Sequence, residues 1–259
     1  MQSDKLDIIS IGGGPITVLA LHASGTGAGS LMRFANALGD QYQVHLLNLS
    51  GYGGSISTSA QYPIEQHLDV ARRALDQLEA SDVHLFGHSM GALVCLRLAS
   101  TARERLRSLT LVEPVTFGLL DPQRDADVIE LDRQSVMGLK NNDADGVQRF
   151  IEFWNGSKWA KMPQPVQQKL ESIRSQITGE ALAISANRDT FASFAAITCP
   201  VQLLMGQSTN PVAQRVGERF SEHFPQWPIH LVDGAGHMLP IEQPGRTADL
   251  TGSFIQNLI

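Results

Sequence analysis

Short apolar runs alternate with longer amphipathic segments along most of this chain. The apolar runs favour buried β-strands and the amphipathic segments favour α-helices. Strands are predicted at residues 6–11, 17–21, 44–49, 83–86, 108–113, 201–205 and 229–232. Helices are predicted at residues 30–38, 64–78, 90–100, 213–224 and 244–258. This alternation predicts an α/β fold, in which helices cover both faces of a mostly parallel sheet.

A glycine cluster, Gly12-Gly13-Gly14-Pro15, separates the first two predicted strands. Its composition predicts a hairpin turn. A glycine-rich loop that binds phosphate follows a strand and opens a helix, whereas this cluster leads into another strand. We therefore expect a turn here and no nucleotide-binding loop.

The alternation stops between Pro114 and Pro200, where no strand is predicted. Helical segments are predicted there at residues 127–139, 146–154, 166–184 and 189–196. Large apolar side chains are frequent in this stretch, and they serve either to pack a small helical subdomain or to line a ligand site. We predict a core formed by residues 1–114 and 200–259, with residues 115–199 inserted as a helical cap.

Composition narrows the class of protein. The 259 residues suffice for one large domain, and 42% hydrophobic with 18% charged residues is ordinary for a globular protein. A net charge of −6 argues against binding to nucleic acid or to an anionic membrane surface. The two cysteines, Cys95 and Cys199, suggest neither a disulfide framework nor a zinc site.

The location of the protein is predicted from what the sequence lacks. No apolar run approaches the roughly 18–20 residues of a membrane span. The N-terminal residues 1–7 include early acids and no long apolar core, so no secretory signal is visible. We expect a cytoplasmic protein with no stable membrane association.

The most informative motif follows the strand predicted at residues 83–86, and it reads Gly87-His88-Ser89-Met90-Gly91. A helical pattern begins immediately after it. This is G-x-S-x-G between a strand and a helix, where a sharp turn forces the serine into strained geometry that small neighbours tolerate. The helix N-terminus there favours a developing negative charge. Ser89 is therefore predicted to be a nucleophile.

A serine hydroxyl needs a neighbouring base at neutral pH. The best candidate is His237, which lies in a glycine-rich loop after the last predicted strand and before the terminal helix. His88 is expected to pack within the turn, and His84 belongs to a strand. The order of Ser89 and then His237 matches one known arrangement of a catalytic triad.

Acyl transfer also needs donors to the oxyanion of the tetrahedral intermediate. The backbone N–H of Met90, directly after the nucleophile, is one expected donor. The second is the backbone N–H of Ser24, in the small-residue loop 22–27 that leaves the strand predicted at residues 17–21. The Ser24 hydroxyl is a further candidate donor.

Four motifs in order give the chain its resemblance to a known family. They are His22-Ala23-Ser24-Gly25, Gly51-Tyr52-Gly53-Gly54-Ser55, Gly87-His88-Ser89-Met90-Gly91 and Gly234-Ala235-Gly236-His237. Over nearly its whole length the chain resembles the α/β-hydrolase-fold superfamily, and in particular its serine esterases with a helical cap. Family members usually have His-Gly in the first motif, so Ala23 is a departure.

The third member of the triad is ambiguous. The family often places an aspartate after the strand predicted here at residues 201–205, but no carboxylate follows that strand. Some members carry the acid one strand earlier, where Glu113 stands, and we favour Glu113. Asn210 is the first alternative, and cap carboxylates such as Asp121 are others. Asp233 is close to His237 in sequence and is expected to shape the turn.

The resemblance implies a reaction. Haloalkane dehalogenases and epoxide hydrolases of this fold use an aspartate where Ser89 stands, so Ser89 indicates an acyl-enzyme formed from an ester or thioester. Amide, lactone and carbon–carbon bond hydrolysis remain alternatives, as does a non-catalytic protein that holds a small molecule in the same pocket. No metal or cofactor is required. The predicted substrate contacts are His22, Phe117, Trp154, Trp159 and Met238.

Overall fold

The fold is described from a computed structural model, in which residues 6–55, 59 and 61–259 are described. Most of the N-terminal segment 1–7, for which no secretory signal is expected, lies outside those residues. Among the helices of the described ranges, none is both long enough and apolar enough to span a bilayer.

A seven-stranded sheet runs through the described part of the chain. Its strands are β1 (Ile8–Gly12), β2 (Ile16–Leu21), β3 (Tyr42–Leu47), β4 (Val83–His88), β5 (Leu106–Val112), β6 (Val201–Gly206) and β7 (Ile229–Val232). Their spatial order is β1-β3-β2-β4-β5-β6-β7, with β1 antiparallel to β3 and every other pairing parallel. All seven predicted strands are present, and the predicted α/β class is confirmed.

Helices follow most strands. They are α1 (Met32–Leu38), α2 (Ile64–Gln77), α3 (Met90–Thr101), α4 (Ala126–Lys140), α5 (Gly146–Asn155), α6 (Gln164–Ser172), α7 (Arg174–Ser185), α8 (Phe191–Phe194), α9 (Pro211–His223), α10 (Leu239–Glu242) and α11 (Pro244–Gln256). The helix predicted at 166–184 is two helices that meet at Ile173, whose side chain packs against apolar clusters on both sides. The helix predicted at 189–196 shrinks to the single turn of α8, and α10 was not predicted.

The predicted hairpin between the first two strands is wrong. β3 lies between β1 and β2, so the glycine cluster is a connection that passes the start of β3. The backbone N–H of Gly14 donates to the carbonyl of Tyr42 at 3.3 Å. A Cβ on Gly12 would lie 2.2 Å from that carbonyl oxygen, and one on Gly14 would lie 2.1 Å from the Gln41 carbonyl carbon. These glycines are needed for close backbone approach.

Side chains alternate between two apolar layers, as expected for a sheet covered on both faces. Along β2, Leu19 and Leu21 enter the layer that contains α3 and α9, and Val18 and Ala20 enter the layer that contains α1 and α11. The centre of the sheet is therefore buried on both sides. Polar functional side chains are therefore expected at the edge of the sheet where the parallel strands end.

The stretch between β5 and β6 holds α4 to α8 and, within its described residues, no strand. An apolar cluster of its own forms where α4, α5, α6 and α7 meet; it includes Val136, Leu139, Val147, Ile151, Leu170 and Ile177. The division of the chain into a core and a helical cap stays a prediction. The cap is the segment of residues 115–199.

Candidate active site

Ser89 sits at the turn between β4 and α3 with φ of 53° and ψ of −116°, a strained geometry for a residue that is not glycine. The flanking glycines permit this turn. A Cβ on Gly87 would lie 2.5 Å from the Gly91 carbonyl oxygen, and a Cβ on Gly91 would lie 2.4 Å from the Leu21 carbonyl oxygen. The turn therefore fixes the serine at the carboxyl edge of the sheet and at the N-terminus of α3.

A continuous chain of contacts links Ser89 to a carboxylate. The Nε2 atom of His237 lies 2.9 Å from Ser89 Oγ, and its Nδ1 atom lies 3.1 Å from Glu113 Oε2. With the Nδ1 proton donated to the carboxylate, Nε2 is an acceptor for the serine proton. All three side chains are buried. The geometry has the order hydroxyl, imidazole, carboxylate that activates a serine.

Glu113 follows β5 directly, in a left-handed backbone conformation with φ of 50°. Its Oε1 accepts from the backbone N–H of Gly206 at 2.6 Å, and its Oε2 accepts from the Thr209 hydroxyl at 2.6 Å. Burying a carboxylate is costly unless hydrogen bonds replace its water. These donors, together with His237, supply that replacement and hold the carboxylate in one orientation.

The other candidates for the third position lie elsewhere. Asn210 caps α9, because its Oδ1 accepts from the backbone N–H of Ala213 at 3.0 Å. Asp121 accepts from the backbone N–H groups of residues 123 and 124. Asp233 is exposed. Of the four side chains considered, the structure brings Glu113 to His237.

His88 supports the loop that carries His237. Its Nε2 donates to the His237 carbonyl at 2.7 Å, and the side chain is completely buried. Burial lowers the pKa of His88 to about 3, so the ring is neutral near pH 7. A neutral donor beside His237 fixes the loop without adding a positive charge.

The backbone N–H groups of the loop 22–27 differ in whether they have an acceptor among the described residues. Gly25 donates its N–H to the Tyr52 hydroxyl at 2.6 Å, and the N–H of Thr26 donates to the Ala23 carbonyl at 3.4 Å. The Ser24 N–H has no acceptor in the described part of the chain. The Ser24 hydroxyl donates to Glu180 and is not available to a substrate in this arrangement.

A small cavity of about 40 Å³ lies against these groups. Its wall includes Ser24, Ser89 and His237, and three of the predicted substrate contacts, Phe117, Trp154 and Met238. The Trp154 ring lies 4.7 Å from the His237 ring, centroid to centroid. A larger cavity of about 640 Å³ shares Ser24, Ile151, Asn155 and Met238 with the small one. Together they offer a tight inner space and a wide outer one.

Two predicted contacts are not part of either wall. His22 is buried behind the loop, where Nδ1 donates to the Ala23 carbonyl at 2.8 Å and Nε2 accepts from the Leu49 N–H at 3.1 Å. Burial lowers the pKa of His22 to about 4. Trp159 lies in a short 3₁₀ turn and packs within the helical cluster of the cap.

Three polar side chains around the site were not predicted to take part in it: Glu180, Asp132 and Tyr52, the last of which was noted only as part of the motif at residues 51–55. Glu180 is completely buried on α7, three residues after Ile177 and four before Ile184. An acidic residue on the apolar face of a helix is unusual, so the sequence pattern could have identified Glu180. Asp132 lines the inner cavity, and burial raises its pKa to about 6, opposed by the Ser185 hydroxyl.

The mostly parallel sheet, with a serine at a strand-to-helix turn and a histidine after the last strand, defines the α/β-hydrolase class of fold. Residues 18–250 match the model of the alpha/beta hydrolase family, and the chain belongs to this family. The family and fold inferred from the sequence motifs are confirmed.

Two relatives and one solved structure illustrate the similarity. The dihydrolipoyllysine-residue acetyltransferase component of an acetoin cleaving system from Cupriavidus necator is 36% identical over 41% of this chain and 29% of that protein. A pimeloyl-[acyl-carrier protein] methyl ester esterase from Methylococcus capsulatus is 25% identical over 96% of this chain and 98% of that protein. A thermophilic esterase structure from Thermogutta terrifontis matches 98% of this chain and 93% of that one, with TM-score 0.77 and 21% identity.

Proposed function

We propose that this protein is a serine hydrolase that cleaves carboxylic esters, with thioesters as the nearest alternative, through an acyl-enzyme. The observation that carries the proposal is the buried contact chain from Ser89 through His237 to Glu113. The full-length similarity to a methyl ester esterase supports esters over other acyl compounds.

In this mechanism Ser89 Oγ attacks the carbonyl carbon while His237 Nε2 takes its proton. The N–H groups of Ser24 and Met90 stabilise the oxyanion, and Glu113 stabilises the imidazolium. The carbon–oxygen bond of the ester then breaks, and His237 gives its proton to the departing alcohol. Water, deprotonated by His237, attacks the acyl group next, which releases the acid and restores Ser89.

The two cavities suggest how an ester divides between them. A space of about 40 Å³ holds a group of only a few heavy atoms, whereas about 640 Å³ holds a much larger one. We therefore expect esters with one small and one larger half to be the best substrates. Apolar walls around the inner space favour an aliphatic small half.

Labelling with a fluorophosphonate tests the activated serine. Because only an activated serine attacks this phosphorus reagent readily, intact-protein mass should rise by one adduct in the unchanged protein and by none in Ser89→Ala. Ser172→Ala, at an exposed position on α6, is the matched control and should label normally. Ser89→Ala should also lose hydrolysis of p-nitrophenyl acetate by about 10⁴-fold or more.

Two results would contradict the proposal. One is a folded Ser89→Ala variant that still hydrolyses esters at the original rate. The other is a folded unchanged protein that takes no label and cleaves no ester, which would favour a protein that binds a small molecule without turnover.

A further inference from the structure

A buried carboxyl group connects the cap to the loop 22–27. Glu180 extends from α7, and its Oε2 accepts both from the Ser24 hydroxyl and from the Tyr52 hydroxyl, the latter at 2.7 Å. Its Oε1 accepts from the Gln176 amide at 3.0 Å. Ser24 and Glu180 are 156 residues apart in sequence, so this contact exists only when α7 packs against the core.

The loop is held at two consecutive residues by this one carboxyl group. Ser24 is held directly through its side chain. Gly25 is held through Tyr52, whose hydroxyl accepts the Gly25 N–H at 2.6 Å while donating its own proton to Glu180. Two fixed points on adjacent residues hold the backbone of Ser24, which lines the same cavity as Ser89 and His237.

Packing alone does not require a carboxylate at this position. Glu180 is completely buried, burial raises its pKa to about 7, and the facing His67 ring has no hydrogen-bond partner among the described residues. An apolar side chain would cover the same space without the cost of burying an ionisable group. What the carboxyl group adds is one oxygen that accepts from two hydroxyls at once.

We propose that Glu180 is a positioning residue for ester hydrolysis: it fixes Ser24 so that its backbone N–H points at the developing oxyanion, and it does so only when α7 lies on the core. This inference rests on the proposed function. It also assigns the Ser24 hydroxyl to the cap contact and the Ser24 N–H to the substrate.

Steady-state kinetics on p-nitrophenyl acetate separate positioning from binding. Removing one oxyanion donor typically costs about 10²–10³ in kcat, so a displaced donor should cost at least about 10-fold. We expect Glu180→Ala and Ser24→Ala each to lower kcat by at least about 10-fold with KM changed less than about threefold. Glu180→Gln keeps an acceptor oxygen for both hydroxyls and should recover most of kcat.

The matched control is Glu152→Gln on α5. Glu152 is another cap carboxylate, which accepts from the Trp159 backbone N–H at 2.7 Å and from the Gln148 amide at 3.4 Å, and among the described residues its hydrogen bonds do not include the loop 22–27. Glu152→Gln should leave kcat within about twofold of the value for the unchanged protein. The double variant Glu180→Ala with Ser24→Ala should be no slower than the slower single variant, because both changes break the same contact.

A trifluoromethyl ketone gives the readout that a merely structural role would not move. It forms a tetrahedral adduct with an activated serine, so its inhibition constant should rise by the factor by which kcat/KM falls. If Glu180→Ala does not fold, Ser24→Ala breaks the same contact from the other side and decides the question.

The outcomes separate the two proposals. Suppose that the unchanged protein is active and takes the fluorophosphonate label. The positioning role alone is then overturned if Glu180→Ala and Ser24→Ala keep kcat, or if they lose no more inhibitor affinity than Glu152→Gln does. An unchanged protein that neither labels nor hydrolyses any ester overturns the proposed function, and the positioning role with it.

Discussion

Glu113 shows how much a single residue depends on its surroundings. It lies at the end of β5, one strand earlier than the position where the family often places its acid, and it still reaches His237 because the neighbouring strands end at the same edge. The sequence could place Ser89 and His237 by motif and order. It favoured Glu113 but left Asn210 and others as alternatives, because only the folded loops decide which side chain faces the imidazole.

Glu113→Gln should lower kcat by about 10⁴-fold, because an amide neither stabilises an imidazolium by charge nor holds His237 in the tautomer that accepts the serine proton. Asn210→Ala is the comparison, since Asn210 caps α9 and should cost about 1 kcal/mol of stability with little effect on kcat. Kinetics and thermal melting of both variants provide the measurement. A crippled Asn210→Ala beside an active Glu113→Gln would reverse the assignment.

Elements were predictable where their signal is local. The central strands are short apolar runs buried on both faces, and such runs stand out in any window of the sequence. The pairing of β1 with β3 could not be predicted from a local signal. It joins Ile8 to Leu47, and β2 lies between these two strands in the sequence. The break at Ile173 was missed for a related reason, since apolar spacing continues through it while the backbone leaves the helix.

Helix α5 brings Trp154 against His237 and Phe117, so it sets the size of the inner cavity. Trp154→Ala should enlarge that space and raise the ratio of kcat/KM for p-nitrophenyl butyrate over the acetate, which is two methylenes shorter, by about 15-fold. Each methylene that gains an apolar site contributes about 0.8 kcal/mol, roughly a factor of four. Phe153→Ala, next to it but outside the cavity wall, should leave the ratio unchanged. An unchanged ratio in Trp154→Ala would place the small half of the ester elsewhere.

The fold as a whole buries several titratable side chains. The buried polar network around the site is the feature that the sequence predicted least well. Burial lowers the pKa of His67 and His88 to about 3 and that of His22 to about 4, and raises that of Glu180 to about 7 and that of Asp132 to about 6. Burial likewise lowers the pKa of His84, to about 4. Such shifts link the stability of the fold to pH.

The sign follows from counting protons between pH 5 and 6. There the unfolded chain binds about three protons on His22, His67 and His88 that the folded protein excludes, and the folded protein keeps about two on Glu180 and Asp132 that the unfolded chain has lost. The unfolded state therefore binds about one proton more, and His84 adds to the difference. Stability should rise with pH by at least about 1.4 kcal/mol per unit in this range.

Above pH 7 the rise should level off, because the histidines of the unfolded chain are then largely neutral and Glu180 loses its proton in the folded protein. Urea unfolding at pH 5, 6, 7 and 8 measures the profile. His67→Gln keeps a polar side chain of similar length but binds no proton, so it should remove about 1.4 kcal/mol per unit from the slope below pH 6.5. A free energy of unfolding that increases as pH falls from 7 to 5 would show that these histidines are not excluded from protonation in the folded protein.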